Sequence, residues 1–294
     1  MNKFQVILDD IMSDFTSGGR EIGYKALSAA EALYEYVVSS APPKEEVINK
    51  LEMLKNIRPC MGISYNVGDI LIKAVGREGD WIKNFKNTLD NLRELLNKSK
   101  DEIRSRSKGL LKSEVYITTL SFSSNVVTFI ERNCDYIKGI YLLESRPGTE
   151  VKYAYETFRN MGFDVKVYPD SAINFVTRGK VAIVIGMDAI TLHEPHLIHK
   201  VGTNPLLTVA YMKSIDRFVV GESLKIIDAN THIIIPKKWK YRVEELELEI
   251  EVYPFDKTPV KYIEYLVTDL GIVRGVDERS LIELYIKLLL TALD

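Results

Sequence analysis

Asp188, Arg146 and the hydroxyl side chains between positions 118 and 124 are the residues of this sequence best suited to chemistry. Each follows a short, apolar, β-rich run. Ligands of doubly wound sheets bind beyond the carboxyl ends of the strands, so these positions would meet at one edge. A carboxylate there can move protons if burial raises its pKa, and an arginine offers planar donors suited to phosphate or carboxylate. The alternatives are a helix cap for Asp188 and a surface salt bridge for Arg146.

The hydroxyl run and one later turn each precede a predicted helix. Ser121, Ser123 and Ser124 follow the apolar run at 115–119, and residues 200–204 open another helix. Free amides and the helix dipole at such positions can hold an anion. The same serines can instead act as simple N-caps. The sequence leaves both interpretations open.

A metal site and a cysteine nucleophile are both disfavoured. His193, His196 and His199 are separated by two residues each, which matches no common zinc spacing, and Pro195 would break a helix that aligned them. We therefore predict no metal. Cys134 would lie about 13 residues into a helix from Ser121, roughly 20 Å from the strand ends, and is predicted to be a buried apolar residue.

The elements that position these residues fall into two regions. The first third is predicted to be helical, with helices at 19–39, 45–57 and 81–103 and one more that begins near residue 64. Beyond residue 113, β-branched runs alternate with helical stretches, which predicts a mostly parallel sheet with strands at 115–119, 139–143, 164–168, 181–185 and 217–220. Alternating acids at 245–251 predict a half-exposed strand, and 277–290 a last helix. We predict a helical N-terminal domain (1–108) followed by a Rossmann-like, mostly parallel α/β domain (109–294).

Composition narrows the functional classes. The 294 residues carry 39 Lys and Arg against 41 Asp and Glu, 46% hydrophobic residues and two cysteines. Near-neutral charge argues against a nucleic-acid-coating protein, so we expect no direct DNA binding. Two cysteines cannot form a disulfide framework, and no apolar run is long enough to span a membrane. We therefore expect a cytoplasmic protein with no membrane partner.

Six segments, taken in order, resemble one superfamily. It comprises the alpha, beta and delta subunits of translation initiation factor 2B together with methylthioribose-1-phosphate isomerase and archaeal ribose-1,5-bisphosphate isomerase. The resemblance covers residues 17–274 and implies a helical domain before a Rossmann-like domain. The matching segments are Arg58-Pro59, Glu144-Ser145-Arg146-Pro147, Asp170-Ser171-Ala172, Gly186-Met187-Asp188-Ala189-Ile190, His199-Lys200-Val201-Gly202-Thr203 and Pro254-Phe255-Asp256-Lys257-Thr258-Pro259.

The resemblance also implies roles for individual residues. The isomerases use an aspartate, which matches Asp188, and a cysteine, whose position here is Ser121. A thiol exchanges a proton near neutrality, whereas an alcohol needs a neighbouring base, and no histidine is predicted beside Ser121. Their Asn-Lys pair for sugar hydroxyls reads His199-Lys200. The residues expected to bind ligand or phosphate are Gly18, Gly19, Arg20, Arg58, Ser123, Arg146, His199 and Lys200.

Two hypotheses follow from this resemblance. The first, favoured because of Ser121, is a non-catalytic regulatory or scaffold subunit of the translation initiation factor 2B type, with a pocket that binds a sugar phosphate or nucleotide and with no cofactor. It implies a homodimer or higher oligomer through the α/β domain and initiation factor 2, through its alpha subunit, as partner. The alternative is a sugar-1-phosphate aldose–ketose isomerase in which Asp188 is the acid/base group and Ser121 replaces the cysteine.

Overall fold

A helical bundle forms the first third of the chain. The computed structural model describes residues 3–14, 17–58, 60–230, 239–243 and 248–294. The four predicted helices are confirmed, and one unpredicted helix precedes them: α1 (Lys3–Ser13), α2 (Gly19–Ser40), α3 (Lys44–Asn56), α4 (Gly62–Gly76) and α5 (Trp81–Ser107). The apolar stripe of α2, including Ile22, Leu33 and Val37, is fully buried. Amphipathic periodicity therefore decides this region, because each helix must cover one apolar face.

A seven-stranded sheet follows and confirms the predicted α/β class. Its order is β13-β12-β7-β4-β1-β2-β3, and only β13 runs antiparallel to its neighbour. All five residues of β4 are buried, as expected of a strand covered on both faces. The strands are β1 (Val115–Thr119), β2 (Ile137–Leu143), β3 (Val165–Tyr168), β4 (Val181–Ile185), β7 (Asp216–Val220), β12 (Tyr265–Thr268) and β13 (Gly271–Arg274).

A second sheet was not predicted. It has the order β11-β6-β5-β8. The histidine-rich stretch forms the hairpin of β5 and β6, with Pro195 in the turn. The stretch is therefore a pair of antiparallel strands and not a helix interrupted by proline. Its strands are β5 (Ala189–His193), β6 (His196–Lys200), β8 (Ile226–Asn230) and β11 (Phe255–Pro259).

The second part of the segment with alternating acidic residues, predicted as a strand at 245–251, belongs to a separate two-stranded sheet. β9 (Trp239–Val243) pairs antiparallel with β10 (Leu248–Val252). Glu249 and Glu251 are exposed, in keeping with a solvated face. Glu245 and Glu247 of the predicted strand lie outside the described residues.

The remaining helices cover the sheets and join the two regions. They are α6 (Ser124–Arg132), α7 (Val151–Asn160), α8 (Ile173–Val176), α9 (Thr203–Met212) and α10 (Glu278–Leu293). α10 packs on α5 and α4, and one apolar core holds residues of the bundle and of the α/β region. The division at residue 108 therefore stays a prediction. Within the described ranges, we find no helix with the length and apolarity needed to cross a membrane.

The prediction for Cys134 was wrong. The helix α6 stops at Arg132, and Cys134 lies exposed in a 3-10 turn. The side-chain amide of Asn133 donates to the carbonyls of Ser107 and Phe129 at 2.8 and 2.9 Å. Those two bonds satisfy buried carbonyls, and they turn the chain outward just before Cys134.

Candidate functional site

The loops after β1 and β4 meet where the strand order reverses. From β1 the chain builds outward through β2 and β3, then returns to the other side of β1 with β4. Ser121 and Ser123 follow β1, and Asp188 follows β4. The Asp188 amide donates to the Ile198 carbonyl at 3.0 Å, and its carbonyl accepts from the Gly62 amide at 2.8 Å. Asp188 is thus held between β6 and the start of α4, at the position where doubly wound sheets bind ligands.

The Asp188 carboxyl is tuned close to neutrality. Desolvation raises its pKa to about 6 against the opposing charges of Lys225 and Lys200, and Glu150 and Glu222 push it further up. The residue keeps some solvent-accessible surface, so the protein atoms packed around its other sides cause the desolvation. A carboxyl with this pKa can both hold and release a proton at physiological pH.

An ion cluster surrounds the fully buried carboxylate of Glu222. Its carboxylate pairs with Lys225 at 2.8 Å and Arg20 at 3.2 Å, and accepts from the Asn125 amide at 2.9 Å. Burial alone would raise the pKa of Glu222, but the Lys225 and Arg20 charges outweigh it and bring the pKa down to about 2. Arg20 also donates to Ser99 and to the Leu96 carbonyl. The predicted phosphate ligand Arg20 therefore binds a carboxylate of the protein in this structure.

The start of α2 lies against Lys225. A Cβ built on Gly19 would stand 3.1 Å from Lys225 Nζ, so the glycine makes room for the ammonium group. Gly18 is the N-cap of α2; it has no side chain that could cap the helix, and there is open space beside it. The predicted glycine turn is thus next to a buried cation and a helix N-terminus, two features that favour an anion.

Ser121, Glu150 and Lys200 form a second cluster at the same edge. The Ser121 hydroxyl donates to Glu150 Oε1 at 3.2 Å, and Lys200 Nζ lies 2.6 Å from that same oxygen. Ser121 has φ +63°, a left-handed conformation that is uncommon for residues other than glycine. The backbone is therefore held in a strained shape that presents this hydroxyl to the carboxylate.

His199 is neutral and its tautomer follows from its partner. The Thr203 hydroxyl donates to the Lys200 carbonyl at 2.6 Å and so accepts from His199 Nδ1 at 2.9 Å. Burial, followed by Lys225 and Lys200, lowers the pKa of His199 to about 3. Nε2, which lies 3.4 Å from a Cβ built on Gly186, is then an acceptor near the end of β4.

The other predicted ligands are more dispersed. Ser123 lies beside the end of β4, where a Cβ on Gly186 would stand 2.9 Å from its Oγ. Arg146 is exposed, with its Nε 3.4 Å from Glu144. Arg58 is half-buried, and desolvation lowers its pKa against the charge of Asp14. The structure therefore groups Gly19, Ser121, Ser123, Asp188, His199 and Lys200, while Arg146 faces solvent.

Carboxylates of the protein fill three turns that would otherwise attract anions. Asp256 accepts from the amides of Gly202 and Asn204, which is the predicted anion turn at the start of α9. Asp170 accepts from the Ser145 and Arg146 amides, both at 2.8 Å. Asp269 accepts from the Ser223 amide and hydroxyl. The starts of α2 and α6 are therefore the better places for an external anion.

The three clustered histidines point to different partners. His193 Nε2 lies 2.9 Å from Asp228, and His196 Nδ1 lies 2.6 Å from the Glu194 carbonyl, whereas His199 turns inward. Among the residues that the structure describes, no group of three or more His, Cys, Asp or Glu side chains could hold a metal ion.

Sequence reasoning missed Glu150, Glu222 and Lys225. Glu222 and Lys225 lie in the loop after β7, so the carboxyl-end rule that singled out Asp188 would have reached them. Glu150 precedes α7 and is brought to Ser121 by the fold alone. The structure also places the Glu150 carboxylate beside Ser121, next to which the sequence predicted no histidine.

Comparison with known proteins places this geometry in a family. The model of the initiation factor 2 subunit family matches residues 22–275. The ribose 1,5-bisphosphate isomerase of Methanocaldococcus jannaschii is 27% identical over 288 residues, which is 90% of this chain and 91% of that protein. A putative translation initiation factor eIF-2B subunit 2-like protein of Pyrococcus abyssi is 25% identical over 276 residues, covering 91% and 95%.

Solved structures share the fold. The translation initiation factor eIF-2B of Pyrococcus horikoshii OT3 superposes with a TM-score of 0.79 at 21% identity, over 93% of this chain and 98% of that one. A chain of the tetrameric eIF2B-beta2-delta2 complex from C. thermophilum gives 0.74 at 12% identity, over 97% and 93%. With the helical bundle, the mostly parallel sheet and the matched residues in place, the chain belongs to the initiation factor 2 subunit family.

Proposed function

We propose that this chain is an aldose–ketose isomerase of a sugar 1-phosphate, with Asp188 as an acid/base group. The observation that carries the proposal is the Asp188 carboxyl, which has a pKa of about 6 at the strand-order reversal and interacts with Lys200 and Lys225. Moving a proton between neighbouring carbon and oxygen atoms of an open sugar needs a group that gains and loses protons near neutrality.

The surroundings of Asp188 supply the other requirements of a phosphorylated sugar. The start of α2, with Lys225 beside Gly19, offers backbone amides and positive charge for the phosphate. His199 Nε2 is an acceptor for a sugar hydroxyl, because its Nδ1 proton is engaged by Thr203. The isomerase of M. jannaschii, similar along nine-tenths of both chains, supports this substrate class.

A second candidate function, the regulatory subunit favoured from the sequence, is supported by Ser121. A hydroxyl stands where the resembling isomerases use a thiol, and Lys200 is already paired with Glu150. In that role the pocket would bind a sugar phosphate or nucleotide as a regulator, and initiation factor 2, through its alpha subunit, would be the partner. The eIF-2B-like relative of P. abyssi supports this candidate.

Either function is compatible with self-association through the α/β region. Lys213 at the end of α9 donates to Asn174 and Thr177 around α8, so these helices are neighbours. They expose Phe175, Tyr211 and Met212, which are 59%, 50% and 78% accessible. We propose this apolar surface as a contact in a homo-oligomer.

One experiment separates the two functions. The purified protein is incubated with ribose 1,5-bisphosphate, methylthioribose 1-phosphate and AMP, and both thermal shift and ketose formation are recorded. Ketose formed by the protein and lost in Asp188→Asn supports the isomerase. A ligand at 100 times its Kd stabilises by about 2.7 kcal/mol, so a thermal shift without product would favour the regulatory subunit. If the protein showed neither a thermal shift nor ketose formation, both functions would be overturned.

A further inference from the structure

Glu150 occupies a position in the cleft that the acid/base role of Asp188 leaves unexplained. It lies before α7, in the loop after β2, and its side chain is 25% accessible. Its charge reaches Asp188, because it is one of the groups that raise the pKa of that carboxyl. Two carboxyl groups therefore share the loop edge on either side of the strand-order reversal.

The local structure holds Glu150 as an oriented carboxylate. The Ser121 hydroxyl and Lys200 ammonium both engage Oε1, at 3.2 and 2.6 Å. Two partners on one oxygen hold the orientation of the group. Among the described residues, none donates a hydrogen bond to Oε2, which is the oxygen left to accept a proton.

Gly148 makes room for this arrangement. A Cβ at that position would stand 1.7 Å from Glu150 Oε2 and 2.8 Å from Lys200 Nζ. Both contacts involve the ends of flexible side chains, so a methyl group would move the carboxylate and the ammonium without breaking the loop. The glycine thus serves the position of Glu150.

We propose that Glu150 is a second catalytic residue, the base that removes the proton from sugar carbon, with Ser121 and Lys200 as its positioning residues. This inference rests on the proposed isomerase function. It explains how the chain can carry out the reaction with a hydroxyl at position 121. A carboxylate can act as the base for a proton on a sugar carbon, as the glutamate of triosephosphate isomerase does for its own substrate.

The proton transfers balance within the two carboxyl groups. Asp188 gives its proton to the ring oxygen as the bond from that oxygen to C1 breaks, while Glu150 takes the proton from C2 and the C–H electron pair becomes the C1=C2 bond of an enol phosphate. Glu150 then returns its proton to C1 while the C2 hydroxyl gives its proton to Asp188 and becomes the ketone. The aldose becomes a ketose, and no oxidant, reductant or cofactor is consumed.

The test compares Glu150→Gln with Glu156→Gln, a matched change at an exposed glutamate of α7. Both are assayed with ribose 1,5-bisphosphate and methylthioribose 1-phosphate for kcat, KM and deuterium uptake from D₂O into the product. We expect Glu150→Gln to lower kcat and deuterium uptake at least 100-fold without raising KM, since Lys200 is released to bind phosphate. Glu156→Gln should behave as the unaltered protein does.

Further variants keep the test decisive. Glu150→Asp, which retains a shorter carboxylate, should recover part of kcat, and Gly148→Ala should lower kcat with an unchanged melting temperature. A Glu150→Gln kcat within threefold of the unaltered protein would overturn the role of Glu150 and leave the isomerase standing. A raised KM with unchanged kcat would likewise overturn it, because Glu150 would then only position Lys200. No conversion by the unaltered protein would overturn the isomerase itself.

Discussion

Replacing Asp188 with asparagine should stabilise the fold while removing activity. The pKa of Asp188 rises from 3.8 to about 6 on folding. The folded protein therefore binds more protons than the unfolded chain between these two values, and the free energy of unfolding falls as pH rises through this window. Asparagine has no charge to desolvate, so Asp188→Asn should escape that loss.

The size of the effect follows from the shift. About two pKa units at about 1.4 kcal/mol each give an upper value of about 3 kcal/mol, and solvent at the open side of the cleft lowers it to about 2 kcal/mol. The entropy of unfolding of a chain this long, at about 2.1 cal/mol/K per residue, converts this to a rise in Tm of about 3 °C.

Melting curves of both proteins between pH 4 and 8 would measure it. We expect only a small Tm difference at pH 4, where Asp188 is protonated in the folded protein and about half ionised in the unfolded chain, and the full difference above pH 7. Asp164→Asn, at an exposed position, is the control and should show no such trend. A lower Tm for Asp188→Asn at pH 7.5, or a difference that does not change with pH, would refute the electrostatic account of Asp188.

Three further changes test other parts of the structure. Glu222→Gln leaves Lys225 and Arg20 without their buried counter-charge, so chemical denaturation should show a loss of about 3 to 5 kcal/mol; a loss below 1 kcal/mol would contradict the buried cluster. Gly62→Ala puts a Cβ 2.7 Å from the Lys225 carbonyl oxygen and should lower the free energy of unfolding by about 1 to 3 kcal/mol. Gly76→Ala, which has open space around it in the same helix, is the control and should leave the free energy of unfolding unchanged. Equal losses in the two variants would argue against the close approach at Gly62. Met212→Glu should shift an oligomer toward monomer in light scattering without lowering Tm, and an unchanged mass would place the interface elsewhere.

Periodic patterns predicted most of the elements. Helix α2 and strand β4 bury continuous apolar stripes or runs, so their patterns decide their structure. The second sheet escaped prediction because its strands carry polar residues: β11 reads FDKTP, and β6 begins and ends with His196 and Lys200. Such strands are specified by their pairing partners more than by their own pattern.

The site was predicted in part for the same reason. Asp188, Ser121 and Ser123 follow strands directly, so a local rule locates them. Glu150 is 29 residues from Ser121, and Lys200 is a further 50 residues along; their contact depends on the tertiary fold. The ion pair of Arg20 could not be predicted either, because its partner Glu222 is 202 residues away in the sequence.

The hydrogen bond from the Gly62 amide to the Asp188 carbonyl makes the geometry of the site depend on the docking of the helical bundle. It joins residues far apart in the chain, and it places Asp188 only when the start of α4 has docked against the end of β4. Forming a contact between residues so far apart in the sequence costs a large amount of chain entropy, which the interactions of the docked parts must offset. Because Asp188 is held by both parts of the chain, a proteolytic cut that let the bundle and the sheet separate should remove the proposed ligand binding while leaving most helices and strands intact.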